Sequence, residues 1–137
     1  MVLLVVLVVV AVLAAGEGLA TALVRRPRRG CSVGLTLAQA RHTVYRAGDA
    51  AGWLLEDGPG DLNMRRRTRF TSLRGPVLSV RFAAPGGDRV EAEAWMSRAG
   101  RLWSIPWGGA AVLLRRSRIL CALRRAGSSS EAAAGSS

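Results

Sequence analysis

Residues 77–96 read VLSVRFAAPGGDRVEAEAWM. In Val77–Ala83, Leu78, Val80 and Phe82 share one face and Ser79 and Arg81 the other. The loop Ala84-Pro85-Gly86-Gly87-Asp88 follows. Beyond it Val90, Ala92, Ala94 and Met96 alternate with Arg89, Glu91, Glu93 and Trp95. A period of two on both sides of a Pro-Gly-Gly loop predicts an antiparallel hairpin with one buried face. Working outward, Ser97-Arg98-Ala99-Gly100 turns the chain and Leu102–Ile105 begins another strand. Upstream, Met64–Leu73 alternates Arg and Thr with Phe70, and Arg74-Gly75-Pro76 turns it into the hairpin. Alternation then sets Arg65, Arg67 and Arg69 on one side of a strand as a strongly basic face.

Ahead of these strands the period is helical. Thr36 is placed to cap a helix, with Gln39 as its capping-box partner. Leu37, Ala40, Val44, Ala47, Ala51 and Leu55 follow as one apolar stripe, and Glu56-Asp57-Gly58-Pro59-Gly60 stops it. Gly48 and Gly52 weaken such a helix by about 1 kcal/mol each relative to Ala, and suit close packing on a sheet. The reading is an α+β domain over residues 36–126: one helix packed on an antiparallel β-meander.

The first 24 residues, MVLLVVLVVVAVLAAGEGLATALV, are followed at once by RRPRR. Twenty-three helical residues reach roughly 34 Å, enough to cross a bilayer core. Arg25, Arg26, Arg28 and Arg29 are placed to flank the membrane. A cleaved signal peptide is the competing reading. No basic n-region precedes Val2, yet Val12-Leu13-Ala14 and Ala14-Ala15-Gly16 pass as cleavage sites. A transit peptide is disfavoured because these residues contain no Arg. The retained anchor, residues 1–24, is preferred. Glu17 either snorkels at the interface or pairs with a partner helix, and Ala11, Ala15 and Gly18 leave a small-residue patch for one. Residues 25–35 read as a basic neck, and 127–137, GSSSEAAAGSS, as a disordered tail.

All 20 basic residues are Arg, and the formal net charge is +11. An anionic membrane surface or an acidic protein fits an anchored basic domain better than nucleic acid, since no aromatic-interleaved motif accompanies the charge. No P-loop, HExxH or CxxC occurs, and the single histidine, His42, has no partner constellation. A non-enzyme without metal, cofactor or small-molecule substrate is expected. A domain that cups an apolar ligand is the third possibility. Cys31 and Cys121 fit no metal spacing; free thiols and a disulfide both stay open. Trp95, Trp103 and Trp107 lie near Arg98 and Arg101. Trp103 reads as core, while Trp95, which points with Glu91 and Glu93, is a candidate binding anchor. Together Arg65, Arg67, Arg69, Trp95, Arg98 and Arg101 are the expected partner-binding residues. Residues 108–125 are ambiguous: Ala, Leu and Arg favour a helix, whereas Arg116 inside the apolar arc favours two strands, Ala110–Leu114 and Arg118–Leu123.

One span, a basic neck, a helix ending in Leu55-x-x-Gly58-Pro59, a Pro85-Gly86-Gly87 turn, the strand Val90–Met96, and Trp103-x-Ile105 leading into Val112-Leu113-Leu114 make an ordered set. In that order the chain resembles the cytochrome c oxidase assembly factor 1 family and its relative in the mitochondrial presequence translocase. The resemblance covers roughly residues 2–124. It implies a cystatin-like domain, and therefore a hairpin at 110–123. It also implies a single-span mitochondrial inner-membrane assembly factor that faces the intermembrane space and binds newly made respiratory-chain subunits. The positive-inside rule would instead keep Arg25–Arg29 and the domain on the matrix or cytoplasmic side. The alternative is a single-pass bacterial or viral protein whose basic domain binds anionic lipid or an acidic partner.

Overall fold

The computed structural model describes residues 1–49, 52–69, 74–85, 89–102 and 105–135. Helix α1 (Val2–Arg25) leads into strand β1 (Arg28–Val33). Helix α2 (Leu37–Gly48) and strands β2 (Trp53–Leu55), β3 (Leu62–Arg66), β4 (Val77–Ala83) and β5 (Arg89–Arg98) follow. The short pair β6 (Gly100–Leu102) and β7 (Ile105–Trp107) precedes the C-terminal helix α3 (Gly109–Ala134). The order β1-β5-β4-β3-β2 makes one antiparallel sheet, and the end of α1, α2 and α3 cover one of its faces. The α+β class and the leading apolar helix therefore hold.

The β4–β5 hairpin forms as its alternation predicts. Leu78 pairs with Met96, Val80 with Ala94 and Phe82 with Ala92 on the covered face. All but the half-buried Phe82 are buried in the core with Val44, Val112 and Ile119. Thr36 caps α2 in a complete capping box: its hydroxyl accepts from the Gln39 N–H, and Gln39 Oε1 accepts from the Thr36 N–H. Gly48 serves the close packing expected of it, because a Cβ there would overlap Met64 Sδ on β3.

Five expectations need correction. The helix predicted to reach Leu55 ends at Gly48: Gly52 has φ +95°, and Trp53–Leu55 pair with Met64–Arg66 as strand β2. Glu56–Asp61 is thus the loop joining two strands. The strand predicted over 64–73 leaves the sheet after Arg66. The neck contains an edge strand, β1, whose Gly30 lies opposite Ala92. A Cβ at Gly30 would come within 2.7 Å of Leu120, so α3 rests directly on this edge. The preferred hairpin at 110–123 is helix, and the low-complexity tail continues that helix to Ala134. Buried Gly127 and the Ser130 hydroxyl, which donates to the Gly34 carbonyl at 2.8 Å, attach its last turns to the domain. Two helices rather than one therefore cover the meander.

α1 is divided into two parts. Met1–Gly16 are exposed throughout, whereas Thr21 and Val24 are buried against the domain. By length and composition α1 can cross a membrane, and a signal sequence shares those properties. Cys121 is an exposed free thiol. The Cys31, Arg28 and Arg29 side chains, all of Trp103, and Gly86–Asp88 of the loop lie outside the described residues.

Candidate functional site

Of the predicted partner-binding residues, Arg65 and Trp95 lie on the uncovered face of the sheet, and Arg98 shares a carboxylate with Arg65. Arg65 Nε lies 2.9 Å from Glu56 Oε2, and Arg98 Nη2 donates to Glu56 Oε1 at 2.8 Å. One carboxylate of the β2–β3 loop thus binds two predicted arginines. Trp95, half-buried, is opposite Ser79 on this face, and the Arg81 guanidinium stacks 5.3 Å from its ring. Beneath the loop, buried Ser79 donates to Asn63 Oδ1 at 2.6 Å and lies 2.7 Å from Ser97 Oγ. Asn63 also exchanges hydrogen bonds with both backbone groups of Gly60. The buried Asn63 and Ser79 side chains are thus hydrogen-bonded to each other and to the loop, and they hold it in place.

Arg67 and Arg69 do not join Arg65. Beyond β3, Arg67 donates its backbone N–H to the Gly52 carbonyl at 2.6 Å, and Arg69 stays exposed. The expected face of three alternating arginines is therefore not formed, because the strand that would align them ends at Arg66. Arg101 does meet Arg98: together with Arg74 and Ala99 they line an open cavity of about 470 Å³ at the start of β6. Arg25 and Arg26 are exposed at the end of α1.

A second arginine cluster lies on the covered side. A cavity of about 310 Å³ is lined by Arg66, Arg67, Arg115 and Arg118 together with Trp53 and Leu114. Arg115 is 8% exposed, donates to the Ala47 carbonyl at 3.0 Å and stacks 5.4 Å from the Trp53 ring. Burial, and next the charge of Arg118, push its guanidinium below the ordinary arginine value.

The junction of α1 and the domain uses a third set. Arg116, 4% exposed, donates Nη1 toward the carbonyls of Leu23, Val24 and Arg26 at 3.4, 3.4 and 3.0 Å. These carbonyls, at the end of α1, have no partner within the helix. Reciprocally, Glu17 Oε2 lies 3.5 Å from the Ala110 N–H in the first turn of α3, whose N-cap Gly108 has no side chain. Each helix supplies the charge that suits the other's terminus. Glu17 pairs within its own chain, which neither expectation for it foresaw. The sequence reading missed Arg66, Arg74, Arg81, Arg115 and Arg118; their only local sign was arginine density. Compared with protein-family models, characterised proteins and solved structures, the chain matches none.

Proposed function

We propose that this chain is a non-enzymatic, single-span membrane adaptor that presents a basic α+β domain to an acidic protein of the same membrane. The observation that carries the reading is the junction: α1 does not hand over to a flexible tether but is capped by Arg116 and caps α3 through Glu17. The anchor and domain form one body, which fixes the height of the domain above the bilayer. On the uncovered face Asn63, Ser79 and Ser97 are hydrogen-bonded to one another, and Glu56 is held by Arg65 and Arg98. The guanidinium excess at Arg74, Arg98 and Arg101 suits an acidic partner surface, and Trp95, stacked by Arg81, adds an aromatic anchor on the same strand β5 as Arg98. The resemblance extends the proposal: the client is a newly made respiratory-chain subunit, and the domain faces the intermembrane space of mitochondria. A bacterial plasma membrane with the domain on the cytoplasmic side is the second reading, favoured by Arg25 and Arg26 at the end of the helix.

Protease protection of a C-terminally tagged chain in isolated mitochondria separates the two. Digestion only after outer-membrane rupture supports the first; protection until the inner membrane dissolves would put the domain in the matrix and overturn the proposed orientation; a non-mitochondrial location supports the second. In mild detergent, R74E/R101E should reduce co-isolation of the partner several-fold, and raised salt should do the same. Equal recovery would remove this cavity from the reading.

A further inference from the structure

The cavity between β2–β3 and α3 gathers four guanidiniums, from Arg66, Arg67, Arg115 and Arg118, and among the described residues no carboxylate lines it. None of the four takes part in an ion pair among the described residues. The adjoining stretches 50–51 and 70–73 contain no acidic residue either. Asp49 lines a separate cavity that shares Trp53, and Glu56 is taken by Arg65 and Arg98. Keeping like charges together at a partly buried site is unfavourable unless something negative joins them. The buried member is also held in place, since Ala47 accepts one N–H and Trp53 supports its plane. A fork of fixed donors beside two exposed arginines, Arg67 and Arg118, is the arrangement that binds a phosphate group.

The height of the cavity indicates where such a phosphate comes from. The first turn of α3 lies beside Glu17 and Thr21, and Arg116 reaches the last carbonyls of α1. Arg115, its neighbour in the same turn, is therefore level with the end of the span, where headgroups begin. Leu114 on the cavity and Leu19 and Leu23 on α1 are 57%, 65% and 51% exposed, an apolar fringe suited to acyl chains. We propose that this cavity is a site for the phosphate headgroup of an anionic lipid, taken from the leaflet on which the domain rests. The proposal relies on α1 being a retained span, and its test does not.

Full-length protein in neutral detergent micelles is titrated with phosphatidylglycerol, phosphatidylcholine or inorganic phosphate, and tryptophan fluorescence is followed. R67Q/R118Q is compared with R124Q/R125Q, which removes the same charge from exposed positions elsewhere. Saturable phosphatidylglycerol binding, weakened about tenfold by R67Q/R118Q and about twofold or less by R124Q/R125Q, supports the site. Equal weakening by both pairs means diffuse charge and overturns it, as does the absence of saturation in the wild type. Binding of inorganic phosphate as tight as that of the lipid, with displacement of the lipid, also overturns it by making the ligand a soluble anion. Release of the protein from membranes by alkaline carbonate would refute the retained span alone and leave the micelle result to decide the site.

Discussion

Arg116 shows how a single buried charge can hold two distant helices. Its guanidinium satisfies carbonyls at the end of α1, up to 93 positions away in the chain, and removing it would leave the buried Val24 carbonyl and two partly buried neighbours without that donor. Arg116→Ala should therefore lower stability by about 2–4 kcal/mol in denaturant unfolding of the detergent-solubilised protein. Arg116→Lys should recover only part of this, because an ammonium cannot span several carbonyls as a planar fork does. A cost under about 0.5 kcal/mol, the level of an ordinary surface change, would contradict the junction. Asn63→Ala should cost about 2 kcal/mol in the same assay, since Gly60 and Ser79 lose their partner. The sequence marked Arg116 as a misfit on a helical wheel, and that misfit argued for a hairpin. Its resolution depends on carbonyls far away in sequence, so no local pattern could show it.

At the scale of elements, periodicity succeeded where one face is buried and the other is not. The β4–β5 hairpin and the α2 cap were legible because alternation and a capping box are local signals. The end of α2 was not, because Ala51 and Leu55 continue the helical spacing while Gly52 turns the chain at positive φ. The tail misled through its composition: Ser- and Ala-rich residues gain order by docking on Gly34 rather than from their own preference. Deleting residues 127–137 should accordingly cost about 1 kcal/mol of stability, whereas a disordered tail would cost nothing. Gly108 is a sharper test of the β7–α3 corner. Its φ is +89°, and a Cβ would come within 2.5 Å of Pro76. Gly108→Ala should destabilise by about 2 kcal/mol from backbone strain and contact with Pro76 together.

Across the whole molecule, the net charge of +11 is not spread evenly. On the uncovered face, Glu56 bridges Arg65 and Arg98 and offsets one of their two charges, and Glu93 lies opposite Arg81. The surplus gathers in two cavities, one at Arg74, Arg98 and Arg101, the other at Arg66, Arg67, Arg115 and Arg118. Sequence alone showed the surplus but not its placement, because pairing depends on where the Glu56 loop folds. Arg65→Gln should consequently weaken partner recovery less than Arg101→Gln, as quantitative co-isolation would show. The placement matters only if the domain is held at a bilayer, and α1 divides where that claim can be checked: Met1–Gly16 are exposed throughout, while Glu17, Thr21 and Val24 meet the domain. The direct test is the intact mass of the C-terminally tagged protein recovered from membranes after alkaline carbonate extraction. The account predicts a carbonate-resistant chain that retains the exposed apolar segment ahead of Glu17. A chain released by carbonate, or one whose mass shows that it begins near Ala15–Glu17, would contradict it.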